Sequence, residues 1–592
     1  MIQRLFDIVE TRSRQAPDAI MLAAKENGQW RTYTGSEVWA TAGKLAGGLL
    51  SLGLANSVLE PEQQEKIAII SPNRPEWVIA DIGVQLTGAV LTPIYPTISP
   101  DEIVYVLNEA GVQILFVANV EIYERFKEAF TKVATLKNIF SFDVIDGVTN
   151  WKELIKKNAD PDPAVITRIK GETLATIIYT SGTTGNPKGV MLSHNNIVSN
   201  VQDSMPVFTF AKENERALSF LPLNHIFERM VTYIYIQSGV SIYYAESMDS
   251  IGLNLKEVKP IVFTTVPRLL EKVYERIMNT AMDLKGIKRM LFFWALDLGK
   301  RYDNINKGNP WYRFQLWVAN KIIFNKWRDA LGGKIKAIVV GSAACQERLA
   351  RIFSAAHLII MEGYGLTETS PVVSVNRFES EGRRIGSIGP LIDHVEVKIA
   401  EDGEILTKGP NVTIGYYKHP ELTAEAMKDG WFHTGDIGMW VEGRFLKITD
   451  RKKEIFKTSG GKYVAPQVIE NKMKESPFIE QMMVIGADRK FVSALIIPSF
   501  IQVRKYIRDH SPDLSIPENN AELIKMTEVM ELLQKQVDKY NVLFSHPEQV
   551  KKISLLAHEW TIDTGELTPS LKIKRKVIMQ KYASQIEALY AD

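Results

Sequence analysis

The chain has 592 residues, of which 45% are hydrophobic and 24% charged, and its formal net charge is +2. This near-neutral balance excludes a global electrostatic attraction to nucleic acid, and the length exceeds what one hydrophobic core supports, so at least two domains are expected. The single cysteine, Cys345, excludes an internal disulfide and suits a reducing compartment. Since the N-terminus lacks a signal-peptide core and no apolar run reaches the roughly 18 residues of a membrane span, we expect a cytoplasmic protein.

Strand-like and helix-like segments alternate over the first 360 or so residues. The short apolar runs that predict strands are Ile67–Ile70, Ile114–Val117, Leu174–Tyr179, Leu218–Leu221, Ser241–Tyr244, Ile261–Thr265, Ile335–Val340 and Leu358–Met361. Longer mixed segments, such as Arg348–His357, separate them. The alternation predicts an α/β fold in which helices cover mixed and parallel sheets.

The pattern changes in the last third of the chain. Residues 386–449 alternate polar and apolar positions around turns at Asp402-Gly403 and Glu442-Gly443, which predicts a β-rich subdomain. A charged connector follows at Asp450–Glu454, and we place the domain boundary there. The remaining chain reads as a smaller α/β unit.

This last unit has a helix-like segment at Pro466–Lys474 and strand-like runs at Gln481–Ile485 and Val492–Ile497. A further amphipathic helix is predicted over Ala521–Tyr540, with Asn519 and Glu522 as its capping pair.

The stretch from Thr176 to His194 begins as a buried strand and then breaks into Thr180–Gly189, which holds three glycines, four hydroxyls and one lysine. Glycines let the backbone approach an anion, hydroxyls and amides donate hydrogen bonds, and lysine adds a charge, so the composition suits a phosphate loop. It is not a Walker A loop, because no Gly-Lys-Ser/Thr closes the frame. An ordinary Gly/Thr/Pro turn is the alternative.

Three later clusters have similar chemistry. Tyr364–Glu368 follows a strand and offers a ring for adenine and a carboxylate for Mg²⁺; a capped loop is the alternative. Asp436, in His433–Asp436, is placed to bind a ribose diol or is a β-turn aspartate. Arg451 is a second ribose candidate or a solvated charge. The C-terminal run Lys572–Lys581 holds five basic residues, ordinarily a solvated face.

In this order and spacing, these motifs resemble the adenylate-forming superfamily over nearly the whole chain. Three further motifs, at residues 71–77, 221–229 and 265–268, are similar to those of long-chain fatty-acid–CoA ligases. The resemblance implies two half-reactions, in which ATP and a fatty acid give an acyl-adenylate and pyrophosphate, and CoA then displaces AMP to form a thioester. The substrates and cofactors it implies are a fatty acid, ATP, Mg²⁺ and CoA.

The resemblance also implies a role for each motif residue. The residues expected to hold the β- and γ-phosphates are Thr180, Ser181, Gly182, Thr183, Thr184, Gly185 and Lys188. Thr184 and Glu368 would hold Mg²⁺. The adenine site would comprise Gly341, Ser342, Ala343, Tyr364, Gly365 and Thr367, and the ribose would lie at Asp436 and Arg451. Lys572 would bridge the substrate carboxylate and the α-phosphate.

The implied domains are an ATP- and acyl-binding domain over 1–449, which includes the β-rich part 386–449, a hinge over 450–453 and a mobile domain over 454–592. Lys453 falls at the hinge. Rotation there would remove Lys572 after the first step and bring Gly460–Lys462 toward the pantetheine of CoA.

Two departures from the family pattern bear on these roles. Many members have glycine before the catalytic lysine, whereas this chain has Leu571, which leaves Lys574 as a rival to Lys572. Some fatty-acid ligases have a gating tryptophan four residues after His225, but here the residue is Arg229, so tunnel gating is not carried over.

The acyl pocket has two open interpretations. His225 lies beside the substrate carboxylate, with Val231–Val240 walling a tunnel and Gly239 leaving room for the chain, or it is a core histidine under apolar packing. Both are kept.

Residues 285–328 contain ten Lys/Arg and two Asp, interleaved with four tryptophans. Such a segment suits peripheral contact with an anionic membrane surface, at the inner face of the membrane for a cytoplasmic protein; a helical lid with a basic outer side is the alternative. The functions in order are an acyl-CoA ligase, an enzyme passing the adenylate to a carrier protein, and a non-catalytic lipid-binding relative.

Overall fold

The computed structural model describes residues 2–54, 59–156, 160–180, 186–562, 564–568 and 571–591. The chain divides into two compact units. The first comprises residues 1–342, 349–398 and 406–433, and the second comprises 343–348, 399–405 and 434–592.

Most strands lie before residue 420. They are β1 (Ile20–Glu26), β2 (Gln29–Thr34), β3 (Lys66–Ile70), β4 (Val90–Ile94), β5 (Val112–Val117), β6 (Asn138–Ser141), β7 (Thr149–Asn150), β8 (Leu174–Thr180), β9 (Lys188–Ser193), β10 (Arg216–Ser219), β11 (Ser241–Tyr244), β12 (Val262–Thr265), β13 (Ala337–Val340), β14 (Ile359–Gly365), β15 (Val372–Val375), β16 (Glu396–Ile399), β17 (Glu404–Lys408) and β18 (Gly415–Tyr416).

The helices of the same part of the chain are interspersed with these strands. They are α1 (Leu5–Gln15), α2 (Gly35–Leu50), α3 (Pro75–Thr87), α4 (Pro100–Ala110), α5 (Val120–Phe130), α6 (Lys152–Lys156), α7 (Pro163–Arg168), α8 (His194–Ser204), α9 (Ile226–Ser238), α10 (Ile251–Val258), α11 (Pro267–Met282), α12 (Gly286–Lys300), α13 (Pro310–Ala319), α14 (Asn325–Ala330), α15 (Glu347–Ala355) and α16 (Pro420–Ala426).

Two mixed sheets organise the first unit, each with eight strands among the residues that the structure describes. One has the order β15-β14-β13-β12-β10-β11-β1-β2, and the other β18-β9-β8-β4-β3-β5-β6-β7. The inner strands of both run parallel, and antiparallel strands lie at the edges. Strands β3 and β4 are buried along their whole length, as expected for parallel strands covered by helices. The predicted α/β fold is therefore confirmed.

Later strands and helices complete the chain. They are β19 (Met427–Lys428), β20 (Trp431–Val441), β21 (Phe445–Arg451), β22 (Phe456–Lys457), β23 (Tyr463–Val464), α17 (Pro466–Met473), β24 (Ile479–Ile485), β25 (Val492–Pro498), α18 (Phe500–His510), α19 (Asn520–Leu523), α20 (Thr527–Asn541), β26 (Val550–Leu555), α21 (Arg575–Lys581) and α22 (Ala583–Tyr590).

The second unit contains the antiparallel pair β20–β21 and a three-stranded sheet in the order β24-β25-β26. The two faces of this sheet pack against separate apolar clusters, one with α17, α18 and α20 and the other with α21 and α22. This small layered core matches the α/β pattern predicted for the end of the chain.

The continuous helix predicted over Ala521–Tyr540 is wrong, because the structure has two helices, α19 and α20. Met526 adopts an extended conformation between them, and its carbonyl accepts hydrogen bonds from the backbone N–H groups of Val529 and Met530, both at 3.2 Å. Leu523 and Val529 are both fully buried in one core, although a continuous helix would place them about 120° apart. Asn519 does cap α19, accepting from the N–H of Ala521 at 2.8 Å.

Candidate functional site

The loops that carry the motifs follow neighbouring parallel strands of the first unit. Strands β10, β12, β13 and β14 lie side by side, so their carboxyl ends meet at one edge of the sheet. The chain leaving that edge contains His225 after β10, Gly341 after β13 and Glu368 after β14. Ligands of α/β proteins bind in this position relative to the strands.

The predicted phosphate loop is the turn of a β-hairpin. Thr180 ends β8, Lys188 begins β9, and the two residues face each other across the antiparallel pair. The loop residues Ser181, Gly182, Thr183, Thr184 and Gly185 lie outside the described part of the structure.

Glu368 lies beside a tyrosine whose ring is near the lysine of this hairpin. The Tyr416 hydroxyl donates to Glu368 Oε1 at 2.9 Å, and Lys188 Nζ lies 5.6 Å from the centroid of the Tyr416 ring. The Glu368 carbonyl accepts from the N–H of Thr413 at 2.7 Å, which fixes the turn that carries the carboxylate. We call Lys188, Glu368 and Tyr416 the strand-end cluster. It combines a carboxylate, a cation and a phenol, all half-buried.

Tyr416 is a candidate site residue that the sequence motifs did not indicate. It lies in β18, which pairs with β9 and so reaches the phosphate hairpin from a distant part of the chain. Burial, together with the charge of Glu368, raises the pKa of Tyr416 well above its usual range, so the phenol stays a donor at neutral pH. The spacing of residues along the sequence does not reveal contacts that arise from strand pairing. The only sequence feature that could have drawn attention to Tyr416 is its position directly after a glycine, which is a weak signal.

The adenine candidates on β14 are held by a tight turn. Tyr364 is buried opposite Ser374 of β15. Gly365 follows it, and an added Cβ there would lie 1.8 Å from the carbonyl oxygen of Pro371, so only glycine fits. Thr367 begins the short 3₁₀ turn that includes Glu368.

The second adenine segment begins where β13 ends. The N–H of Gly341 donates to the carbonyl of Thr265 at 3.1 Å, and a Cβ on Gly341 would lie 3.0 Å from the Phe227 ring. Ser342 has φ +71°, a left-handed conformation that turns the chain away from the sheet edge. Ala343 is exposed and is counted with the second unit.

His225 caps the buried helix α9. Its Nδ1 accepts from the N–H of Phe227 at 3.2 Å, so in the neutral ring the proton is on Nε2. The side chain is half-buried at the start of the helix, and both interpretations of its role stay predictions.

The space predicted beside Gly239 is wrong. Gly239 ends α9 with φ +71°, and a Cβ there would lie 2.8 Å from Arg12 Nη2 and 2.9 Å from Glu213 Cγ. The glycine suits the left-handed cap, and the side chains of the Arg12–Glu213 ion pair lie directly against it.

The motifs at 71–77 and 221–229 join the two sheets of the first unit through polar groups that are buried or half-buried. Asn73, which follows β3, donates from Nδ2 to the Leu221 carbonyl at 2.7 Å and accepts from the N–H of Leu223 at 2.9 Å. The Glu228 carboxyl accepts from the hydroxyls of Ser219, at 2.6 Å, and Thr264. Burial raises the pKa of Glu228 to about 7.

Arg229 forms a buried ion pair. Its Nε and Nη2 donate to the two oxygens of Asp81 at 2.9 and 2.6 Å, and both side chains are 1% exposed. The Tyr233 hydroxyl donates to Asp81 Oδ2 at 2.8 Å, and Gln85 Nε2 donates to Asp81 Oδ1 at 2.5 Å. We call Asp81, Gln85, Arg229 and Tyr233 the buried network. The network joins α3 to α9, so the Arg229 guanidinium has a structural role.

The two ribose candidates lie together in the second unit. Asp436 and Arg451 are opposite each other in the β20–β21 pair, and Arg451 Nε lies 3.1 Å from Asp436 Oδ1. Asp436 is buried and Arg451 is half-buried, so the arginine holds the carboxylate in place from one side.

The connector is tied to the C-terminal segment inside the second unit. Glu454, which follows exposed Lys453, accepts from Arg575 Nε and Gln467 Nε2, both at 3.0 Å. Arg575 also binds Glu470 at 2.5 Å. Burial and the neighbouring charge of Glu454 raise the pKa of Asp450 to about 6.

Lys572 lies in the short loop before α21, three residues from Arg575. Its N–H donates to Thr568 Oγ1 at 3.0 Å, and its carbonyl accepts from the N–H of Thr568 at 2.8 Å. Leu571 has φ +61°, a conformation that favours glycine. Lys574 is the N-cap of α21.

The basic segment 285–328 forms α12, α13, a π-helical stretch at Asn320–Phe324 and the start of α14. Its inner side packs Phe292, Phe324 and Trp327 against the body of the first unit, where Trp327 meets Phe353. Several large apolar residues of its outer side are exposed.

Neither a membrane span nor a built-in metal cage is present in the described ranges. No described helix is long and apolar enough to cross a bilayer, and no described group of three or more His, Cys, Asp or Glu is arranged to hold a metal ion. A Mg²⁺ carried by ATP needs no such cage, since it is ordinarily held by one or two carboxylates and by phosphate oxygens.

Family models match most of the chain. The model described as AMP-binding enzyme matches residues 9–417, and the model described as AMP-binding enzyme C-terminal domain matches residues 453–592. Long-chain-fatty-acid–CoA ligase FadD15 of Mycobacterium bovis is 33% identical over 98% of this chain and 96% of its own length. Long-chain-fatty-acid–CoA ligase 1 of Homo sapiens is 34% identical over 89% and 78%, respectively.

Solved structures with low sequence identity share the fold. The adenylation domain of a carboxylate reductase from Mycobacterium chelonae has a TM-score of 0.78 at 20% identity and covers 100% of this chain and 91% of that chain. A fatty acyl CoA synthetase of Mycobacterium tuberculosis has a TM-score of 0.63 at 19% identity, with coverage of 98% and 99%. At these identities the likeness supports the architecture alone.

Proposed function

Because this chain belongs to the family of AMP-binding enzymes, we propose that it is a long-chain fatty acid–CoA ligase. The observation that carries this proposal is the end-to-end match to relatives that bear that name. The fatty acid carboxylate attacks the α-phosphorus of ATP, and the bond to the β-phosphate breaks to release pyrophosphate. The CoA thiolate then attacks the acyl carbon of the adenylate, and AMP leaves.

The strand-end cluster supports the first half-reaction. Lys188 and the loop from Thr180 through Ser181–Gly185 are assigned to the β- and γ-phosphates, where a cation and backbone amides neutralise the leaving pyrophosphate. Tyr416 orients Glu368 through its hydrogen bond of 2.9 Å. Positioning two anions and neutralising their charge is most of what this chemistry requires.

Glu368 suits a Mg²⁺ ion that accompanies ATP. Magnesium prefers oxygen ligands and is commonly held by one or two carboxylates together with substrate phosphates. The half-buried Glu368 carboxylate is such a ligand, and Thr184 is assigned beside it from the motif. The bound ion would supply charge neutralisation at the phosphates.

The nucleoside is assigned to the remaining motif residues. Adenine is placed at Tyr364, Gly365 and Thr367 and at Gly341–Ala343. The ribose diol is placed at Asp436, which can accept two hydrogen bonds from it, and Arg451 fixes that carboxylate at 3.1 Å. His225 is placed beside the fatty acid carboxylate, with its Nε2–H as the donor.

The second half-reaction is assigned to movement of the C-terminal part. Residues 1–449 would bind ATP and the acyl group, 450–453 would form the hinge with Lys453 in it, and 454–592 would be mobile. Lys572 bridges the two anions in the first step and leaves before CoA enters. The ion pair between Glu454 and Arg575 supports this assignment, because it fastens the segment that contains Lys572 to the end of the connector.

Pyrophosphate release with a panel of fatty acids tests the proposal. We expect release with long-chain acids in the absence of CoA, and acyl-CoA and AMP once CoA is added. If pyrophosphate is released but no acyl-CoA forms, and the acyl group is instead transferred to a phosphopantetheine carrier protein, the carrier-protein alternative would be favoured. No release with any acid would contradict the proposed activity.

We further propose peripheral contact with an anionic membrane at the inner face, made by an enzyme located in the cytoplasm. The ten basic residues of 285–328 against two acidic ones motivate it, since attraction is about 1 kcal/mol per basic residue near the surface. Co-sedimentation with vesicles should fall with salt and on changing Lys288, Arg289, Arg313 and Lys321 to Gln. Binding that is absent at low salt, or that those changes do not weaken, would contradict it.

A further inference from the structure

Helix α13 exposes three large aromatic side chains along one side. Trp311, Phe314 and Trp317 are 65%, 52% and 53% exposed. Their rings stack in sequence, with centroids 5.7 and 6.0 Å apart and planes inclined by 21° and 26°. We call these three residues the aromatic edge. A run of half-exposed aromatic rings is an apolar patch of the kind that marks an interaction surface.

The aromatic edge is not needed to hold α13 in place. The helix is fastened to α12 by other groups, since Trp294 Nε1 donates to Gln315 at 3.0 Å and the Tyr312 hydroxyl donates to the Leu298 carbonyl at 2.9 Å. The helix α12 itself exposes Ile287 and Met290, at 71% and 63%. These outward apolar groups therefore have no role in the core of the first unit.

A cation borders the aromatic edge, and the two acidic residues of the segment are paired with arginines. Lys321 Nζ lies 4.1 Å from the Trp317 ring centroid. Asp303 binds Arg351 at 3.2 Å, and Asp297 binds Arg301 at 3.1 Å. The surface thus combines aromatic rings with positive charge, which is complementary to a layer of anionic headgroups over acyl chains.

We infer that the aromatic edge enters the interfacial region of an anionic lipid bilayer while the neighbouring cations contact the headgroups. This inference rests on the proposed function and deepens it. Salt screens the attraction between cations and anionic headgroups, whereas the binding free energy from burying aromatic rings in the bilayer is not screened by salt. The occupant is the bilayer itself. An enzyme anchored this way takes its long-chain substrate from the phase in which that substrate accumulates.

Vesicle binding by full-length protein tests the inference. The variant Trp311→Gln/Phe314→Gln/Trp317→Gln removes the rings without changing charge. Its matched control, Ile501→Gln/Val542→Gln/Leu543→Gln, removes apolar groups of the second unit that are 65%, 77% and 60% exposed. Both are compared with wild type by co-sedimentation with vesicles of phosphatidylcholine and phosphatidylglycerol.

We expect the edge variant to bind these vesicles at least about tenfold more weakly than wild type, since three half-exposed rings lose their burial. At about 1 M salt, where the Debye length is about 3 Å, wild type and control should keep a residual binding that the edge variant lacks. Equal binding by the edge variant would overturn the inference. So would a concentration-dependent dimer, without vesicles, that the edge variant abolishes.

Activity separates this inference from the proposed function. The edge variant should release pyrophosphate with a water-soluble short-chain acid at the wild-type rate, which also shows that it is folded. If wild type releases none with any acid, the ligase activity fails and the vesicle result stands by itself. If wild type is active but the edge variant binds vesicles normally, only the inference fails.

Discussion

The strand-end cluster and the buried network both consist of charged and polar residues of the first unit, but they differ in exposure. Lys188, Glu368 and Tyr416 are half-buried; Lys188 begins β9 beside the phosphate loop, and Glu368 lies in the turn that follows β14. Asp81 and Arg229 are 1% exposed and use their charges on each other. Charges at a loop remain available to a ligand, whereas charges enclosed with a partner stabilise one arrangement of two helices. The first group should therefore affect chemistry, and the second should affect stability.

The largest expected effect is on folding and comes from the buried network. Arg229→Met leaves the Asp81 carboxylate buried without its cation, so the free energy of unfolding should fall by about 3–5 kcal/mol. Chemical denaturation followed by circular dichroism measures it. The double variant Asp81→Asn/Arg229→Met removes both charges and should recover part of the loss. A single variant as stable as wild type would show that the pair has no structural role.

A change in the strand-end cluster should do the opposite. Glu368→Gln keeps the shape of the side chain but removes its charge, and we expect pyrophosphate release to fall by about 10²–10³ with unchanged thermal unfolding. Tyr416→Phe, which only frees the carboxylate from one hydrogen bond, should lose less. Near-normal release with unchanged Mg²⁺ dependence in Glu368→Gln would remove Glu368 from the site.

Lys572→Ala should separate the two half-reactions. Formation of acyl-adenylate should fall by about 10²–10³, because a cation between two anions is lost, while supplied acyl-adenylate and CoA should still give thioester near the wild-type rate. Lys574→Ala is the control for the alignment. A selective first-step loss in Lys574→Ala would identify Lys574 as the catalytic lysine, and an equal loss of both steps in Lys572→Ala would contradict the proposed movement.

The smallest effect concerns the backbone before that lysine. Leu571 has φ +61°, which costs a residue with a Cβ about 1–2 kcal/mol, but its side chain packs on the apolar cluster of the second unit. Leu571→Gly relieves the strain and loses the packing, so thermal stability should change little. Leu571→Ala loses the packing and keeps the strain, so it should be the less stable of the two. The reverse order would show that the strain is absent in solution.

Sequence patterns predicted most of the named strands of this fold for physical reasons. Strand-like runs such as Ile67–Ile70 are read correctly because a parallel strand buried on both faces is apolar throughout. Asp436 and Arg451 were assigned to one ligand group, and the structure pairs them across two strands.

Features that depend on contacts between residues far apart in the sequence could not be predicted. Tyr416 reaches Glu368 only because β18 pairs with β9, which no local pattern encodes. The space beside Gly239 depends on Arg12, a residue far away in the sequence. The break between α19 and α20 comes from burying Leu523 and Val529 in one core, a tertiary demand that overrides local helix periodicity.

The central claim, a two-step ligase that passes through an acyl-adenylate, is tested most directly by a single-turnover experiment without CoA. Enzyme in excess over a long-chain acid is mixed with ATP and Mg²⁺, and the products are identified by mass spectrometry before and after CoA is added. We expect pyrophosphate and enzyme-bound acyl-adenylate first, and then acyl-CoA and AMP in equal amounts. Formation of ADP and phosphate, or of thioester with no adenylate before it, would contradict the claim.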